Sequence, residues 1–441
     1  MRKLRKIVTI VMVICLAMTI FGCQSAPEQA TEEATASEAA GETASGEDTI
    51  KIGCIYALSG TNAQAGKEYI EAIKLAADII NGEYDLDMPF AKEIGLPNLG
   101  GRKIELVIAD HQGSPEVGMA ETERLITNED VVAIVGAQMS AVCKTSSNVA
   151  ERLGIPYLTP ECTSSELTER GLKWFFRITP VDTTFVNDTY KFLDEMNATK
   201  DAGIKTVAIV SEDTEYGALL AHEEEALAAE YGYEVVEKII FPANSTNVTS
   251  EVLKLVKAQP DAILMAVYAS DGILFMNTMK EQNYLPKMII GQRGGFTMAE
   301  FLGNLEDKAD YLYTTNVWAL DLADSNELIA KVNDMYKERS GVNLTGDYSR
   351  AFTGLMTIAD AINRAGSTDP EAIRTALIET EITNEGQMIV PWDGIKFDEK
   401  GQNEWASGIV TQAKDGIYHT VYPASGAAMD PVVPMPGWDE R

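Results

Sequence analysis

Short β-branched apolar runs alternate along this chain with longer segments whose apolar residues recur at helical spacing. Residues 131–166, VVAIVGAQMSAVCKTSSNVAERLGIPYLTPECTSSE, show the rhythm most clearly. They read as a buried strand (131–135), a polar turn (136–140), a helix (141–153), a second strand (155–158) and a second polar turn (159–165). Two strand ends and two helix starts therefore meet in one segment. In an open parallel sheet, ligands bind outside the carboxyl ends of the strands. A helix N-terminus offers unpaired N–H groups that suit a carboxylate or phosphate. Ser140 and Thr163 either hold a small anionic group or only cap helices, and Thr163-x-x-Glu166 fits a capping box.

The rest of the chain repeats the pattern. Residues 50–58 form a β-branched run ending in Ser59-Gly60-Thr61, and the following helix carries Ile70, Ile73, Ala77 and Ile80 on one face. Residues 81–101 are polar, with Pro89, Pro97 and Gly100-Gly101, and read as a surface excursion. A strand at 103–109 and a helix opening at Pro115 and running to 128 precede the segment above. After an extended stretch at 174–178, Thr179-Pro180 reads as a crossing. The rhythm then restarts, with strands at 206–210, 235–241, 262–267, 287–290 and 311–315. Helices at 182–196, 217–231, 247–258 and 271–283 fall among them. Helices at 327–339, 348–365 and 370–377 and closing strands within 386–402 and 406–422 follow. Alternating strands and helices imply an α/β chain with doubly wound parallel sheets. The restart implies two lobes joined by a multi-crossover hinge. Lobe 1 is expected to take 49–178 and 317–385. Lobe 2 is expected to take 179–316 and, with the hinge, the return strands of 386–422. The tail 423–441, rich in Pro and Gly, reads as irregular.

The first residues change the setting. Met1-Arg-Lys-Leu-Arg-Lys6, an apolar run to Phe21 and Gly22-Cys23 read as a secretory signal over 1–22, too short for a comfortable membrane span. Ile20-Phe21-Gly22-Cys23 resembles a bacterial lipobox, with Cys23 as the lipidated residue. Residues 24–48 are Ala, Thr, Ser, Gly and Glu with no large apolar side chain, the composition of a tether. The formal net charge is −31, and loss of the leader's four basic residues takes it to −35. That argues against nucleic acid and against a basic membrane patch. Cys54, Cys143 and Cys162 remain, an odd number without metal-ligand spacing. Cys143 and Cys162 could pair or stay as buried thiols. The three histidines, His111, His222 and His419, sit in no nucleophile or metal motif, and no phosphate-cradling glycine loop appears. Glu212 and Asp213 could imitate an acid/base pair, but capping of the helix at Tyr216 accounts for Asp213. No enzyme, cofactor or metal is expected.

The ordered motifs then resemble a family. They are Ile52-Gly-x-Ile-x-x-Leu-Ser-Gly60, Gly101-Arg-Lys-Ile-Glu-Leu106, Asp110-x-Gln112, Val132-x-Ile-Val-Gly136 with Ser140, and Gly154-Ile-Pro156. Thr159-Pro160-x-x-Thr163, Glu166-Leu-Thr-x-Arg-Gly171, Phe176-Arg-x-Thr-Pro180, Asp213-Thr-x-Tyr-Gly217, Pro260-Asp261-Ala262 and Tyr268 continue them. Together, over residues 49–422, they resemble the type I solute-binding proteins of the branched-chain amino-acid class. The resemblance implies an extracytoplasmic receptor that captures a small solute and delivers it to the permease subunits of an ABC importer; the lipobox adds a lipid anchor, and a monomer is expected. A sensor of the same fold, reporting to a signalling protein, is the alternative. By position, Ser140 matches a serine that binds the ligand carboxylate, and Thr163 a threonine after the fourth strand. Glu161 matches a neighbouring backbone contact, with Cys162 in the same stretch. Tyr216 and Tyr268 match aromatics that close from the second lobe.

One departure bears on the solute. The turn after Ile290 usually offers an acid to the ligand ammonium, and here it reads Gly291-Gln292-Arg293-Gly294-Gly295. An inward Arg293 would repel an ammonium and attract a second carboxylate. Otherwise it turns to solvent or pairs with an acid such as Glu161 or Asp213. The expected solute is therefore amino-acid-like or a carboxylate, with an ammonium beside Glu161 as the variant.

Overall fold

The computed structural model describes residues 49–441. The expected leader, the Cys23 lipid site and the tether lie outside them. Five strands build the first sheet: β1 (Ile50–Tyr56), β2 (Ile104–Asp110), β3 (Ala133–Gly136), β4 (Tyr157–Thr159) and β5 (Phe175–Arg177). All pair in parallel, in the order β2-β1-β3-β4-β5. Parallel neighbours need crossovers, and α1 (Ala63–Asn81), α2 (Pro115–Asn128) and α3 (Ser140–Leu153) supply those up to β4.

The second lobe opens with α4 (Asp182–Lys200) and alternates β6 (Thr206–Glu212), α5 (Glu215–Tyr231), β7 (Glu234–Phe241), α6 (Thr249–Ala258) and β8 (Ala262–Ala266). It continues with α7 (Ala269–Glu281), β9 (Met288–Gly291), α8 (Ala299–Leu305) and β10 (Tyr313–Asn316). The chain then returns. Helices α9 (Glu327–Ser340), α10 (Gly346–Ala365) and α11 (Pro370–Ile378) follow. They bury Ile329, Val332, Leu355 and Ile373 in the same core as Ile52, Tyr56 and Ile73 of the first lobe.

Strands β11 (Glu381–Thr383) and β12 (Gly394–Lys396) pair with each other, and Gln402 bridges Arg177 at the end of β5. Trp392, Ile395 and Phe397 join the first core, with Phe397 edge-on to Phe176 at 5.2 Å. Residues 386–403 thus pack on the first core, within the span the sequence reading gave jointly to the second lobe's return strands and the hinge. The return strands are β13 (Ile409–Lys414) and β14 (Ile417–Tyr422), an antiparallel hairpin on β10. It turns at Asp415-Gly416, both at positive φ, as a two-residue hairpin requires. The second sheet runs β14-β13-β10-β9-β8-β6-β7, parallel from β7 to β10 and antiparallel at the hairpin edge.

Two segments are more buried than their composition indicates. The excursion at 81–101 buries Leu86, Met88, Ala91 and Leu96 on the first core, so its few apolar residues decide its course. The irregular tail buries Met435 and Trp438 in the second core, where Trp438 Nε1 donates to the Tyr284 carbonyl at 3.0 Å.

Strand order reverses between β1 and β3 in the first sheet and between β6 and β8 in the second. Each reversal opens a crevice at the strands' carboxyl ends. Gly66 and Gly217 let the next helix press onto each crevice floor. A Cβ there would lie 1.7 Å from the Ala57 carbonyl oxygen and 2.3 Å from that of Glu212.

Candidate ligand-binding cleft

The two crevices face each other across a narrow cleft lined from both lobes. The first lobe lines it with the starts of α1 and α3, the turn after β4, and the start of α10. The second contributes the starts of α5 and α7, the turn after β9, and the start of α8. Lys144 of α3 reaches Glu215 of α5 across the rim at 2.7 Å, so the lobes stand closed.

Ser140 is the first residue of α3, 3% exposed, and Met139 occupies the cap position. Its hydroxyl lines the cleft and makes no hydrogen bond among the described residues. Thr163 does not cap either, because Ser164 precedes the next 3₁₀ turn. Its hydroxyl accepts from Arg293 Nη2 at 3.2 Å, and its carbonyl from the Asp182 N–H at 2.9 Å. The capping box is therefore not formed. Cys162 turns its thiol to the Ala137 carbonyl at 2.7 Å, so its side chain is outside the cleft. All three described cysteines are buried free thiols.

Glu161 is 5% exposed and lines the cleft. Its carboxylate accepts from the Tyr56 hydroxyl at 3.1 and 3.2 Å, and no ion pair reaches it among the described residues. Burial pushes this carboxyl well above the usual glutamate range; Arg350 and the Tyr56 hydroxyl offset that only partly. Arg350 is itself committed to Asp347, three residues before it on α10, and donates to Thr179 Oγ1 at 2.8 Å. Asp347 also accepts from Tyr69 at 3.1 Å and from Thr297 across the cleft.

Arg293 points inward and is 3% exposed. Its Nη2 lies 2.5 Å from Oδ1 of Asp182, a fully buried acid at the start of α4. Its guanidinium lies 3.7 Å from the Phe185 ring centroid. Neither Glu161 nor Asp213 is its partner, and Asp213 instead accepts from the Ala243 N–H at 3.0 Å. Arg293 has φ +60°, an uncommon position for a non-glycine, held by these contacts. Burial raises the Asp182 carboxyl, and Arg293 pulls it back only in part.

Tyr216 and Tyr268 line the opposite wall with ring centroids 5.8 Å apart. The Tyr216 hydroxyl donates to the Gln292 carbonyl. The Tyr268 N–H donates to Glu212 Oε1 at 2.6 Å, so Glu212 anchors the turn. The cap of α5 is Thr214, whose side chain accepts from the Gly217 N–H, not Asp213. His111 is buried beneath the cleft with Nε2 at 3.0 Å from Gln138 Oε1, where it braces a lining residue. Sequence reasoning missed Tyr56, Tyr69, Asp347, Arg350 and Glu300. Asp347-x-x-Arg350 at a helix start was the available signal.

A family profile described as "Periplasmic binding protein" matches residues 49–416. The chain belongs to the periplasmic binding protein family. Leu/Ile/Val-binding protein homolog 7 of Brucella abortus (strain 2308) is 30% identical over 393 residues, covering 88% of this chain and 94% of that one. Homolog 8 from the same strain is 31% identical, covering 86% and 91%. Among solved structures, a leucine-binding protein of Thermotoga maritima superposes with TM-score 0.71 at 22% identity, covering 86% of this chain and all of that one. A branched-chain amino acid transporter substrate-binding protein of Streptococcus pneumoniae, in complex with isoleucine, gives 0.70 at 20%, covering 84% and 97%. These likenesses place the chain among the type I periplasmic binding proteins of the branched-chain class. Such proteins are solute-binding components of ABC transport, and the paired crevices are the two jaws of their clamp.

Proposed function

We propose that this protein is the extracytoplasmic receptor of an ABC importer, closing its lobes over an α-amino acid and presenting it to membrane permease subunits. One observation carries the reading: a closed cleft holds an unpartnered hydroxyl at a helix start and a buried carboxylate that no ion pair reaches. Ser140 and the N-terminus of α3 suit the α-carboxylate, with Thr163 beside them. Glu161 suits the α-ammonium. A zwitterion satisfies both groups, and a plain carboxylate or a neutral amide satisfies one. Tyr216 and Tyr268 close from the second lobe. A ligand touching both jaws favours closure by its higher affinity for the closed state.

Arg293 takes a different part from the one its sequence position implied. Its charge is met by Asp182, so it braces Thr163 and leaves a second solute carboxylate without a free cation to attract it. The names of the Brucella relatives and the isoleucine complex support an amino-acid solute. A lipid at Cys23 and a tether to residue 48 would hold the receptor at the outer face of the membrane. A monomer suffices, because one chain supplies both jaws. It acts by binding, not by catalysis. A thermal-shift screen tests the reading, since a ligand that binds only the folded state raises the melting temperature by mass action. α-Amino acids should raise it and their des-amino analogues should not. An equal response to the des-amino acids would overturn the reading.

A further inference from the structure

The far wall of the cleft carries a second carboxylate without a cation. Glu300, in the first turn of α8, lines the cleft beside Met298, and no ion pair reaches it among the described residues. Glu68, on α1 of the opposite lobe, is 5% exposed. It accepts from Gln64 Nε2 at 2.7 Å and from the Tyr348 hydroxyl, and it too meets no cation. Burial, and then the Glu68 charge, hold the Glu300 carboxyl above its ordinary range.

The charge balance of the cleft points the same way. Both lining guanidiniums are committed, Arg293 to Asp182 and Arg350 to Asp347. No lysine or histidine lines the cleft, which leaves Glu161 and Glu300 unmatched. An α-ammonium answers the first. A branched aliphatic side chain would set methyl groups against the second, a half-buried carboxylate, and strip away its remaining water without offering a partner. A side-chain carboxylate would be worse. Ala65, Tyr69 and Met298 provide apolar wall for a methylene stem.

On the amino-acid reading of this cleft, we propose that the solute is a dibasic L-amino acid, of the lysine, ornithine and arginine class. Its α-ammonium sits on Glu161 and its side-chain cation at Glu300. The first turn of a helix favours a carboxylate for its own sake, so the test separates recognition from helix stability. Calorimetric titration of the protein with L-lysine, L-norleucine, L-leucine and L-glutamate reads the preference directly. Lysine should bind about tenfold or more tighter than norleucine, its neutral counterpart. Glu300→Gln should bring lysine to within about threefold of norleucine, an effect a helix-stability role alone would not produce. Norleucine or leucine binding as tightly as lysine would overturn the dibasic assignment and leave the amino-acid receptor standing. A lysine preference kept in full by Glu300→Gln would overturn the role of Glu300. Failure of every α-amino acid to bind would sink the receptor reading first.

Discussion

Arg293 and Glu161 look into the same cleft from opposite lobes, at 3% and 5% exposure. The arginine has been given everything a buried charge needs: a carboxylate at 2.5 Å, two threonine hydroxyls and an aromatic face. The glutamate has been given one tyrosine hydroxyl. A satisfied charge holds structure together, and an unsatisfied one waits for a partner. By that contrast the second lobe's turn after β9 is a brace, and the first lobe's turn after β4 is the recognition surface we propose. The side of the cleft that looked decisive in the sequence, the arginine in place of an acid, is the side the fold has already neutralised.

The largest way to break the contrast is to remove the brace. Arg293→Met leaves Asp182 buried and unpaired, which should cost about 3 kcal/mol of folding stability in neutral denaturant titrations. The loss should shrink in acid, where Asp182 takes up a proton, and Asp182→Asn added to Arg293→Met should recover most of it. If Arg293→Met leaves stability unchanged, the ion pair is not the brace described.

Glu161→Gln should do the opposite. It removes a desolvated carboxyl that has no ion-pair partner, so stability should hold or rise. Affinity for an α-amino acid should fall by about 2 kcal/mol, the scale of a charge-assisted hydrogen bond, read by calorimetry. A loss of stability with unchanged affinity would reverse the two roles. Smaller still, Tyr268→Ala and Ser140→Ala should each weaken binding by about 1 kcal/mol.

The weakest effect is on pH. The Glu161 carboxyl sits well above its ordinary 4.5 in the free protein, and a bound ammonium should lower it. The complex then holds fewer protons than the free receptor, so binding tightens as pH rises from the value in the complex toward the value in the free protein. It should level off beyond. Glu161→Gln should flatten that slope, and a slope kept in the variant would assign the titration elsewhere.

Much of this contrast was legible in residue order. Ser140, Tyr216 and Tyr268 stand at helix starts that follow strands, and periodicity locates such junctions without knowledge of packing. Arg293 stood out because it departs from a motif. Its partner did not, because Asp182 lies 111 positions away and looks like an ordinary first-turn acid. Asp347 and Arg350 reach the cleft only because the chain recrosses to the first lobe after β10. A linear pattern shows a helix there but not which core it joins. The same blindness left residues 386–403 undivided between return strands and hinge, although their Trp392, Ile395 and Phe397 pack on the first core. Local chemistry was readable, and partnerships between lobes were not.

The most direct test of the account is the melting temperature of the protein titrated with the common L-amino acids, alongside Glu161→Gln. The account predicts a concentration-dependent rise for at least one amino acid, lost in the glutamine variant. No rise with any amino acid, or a rise that Glu161→Gln keeps in full, would contradict it.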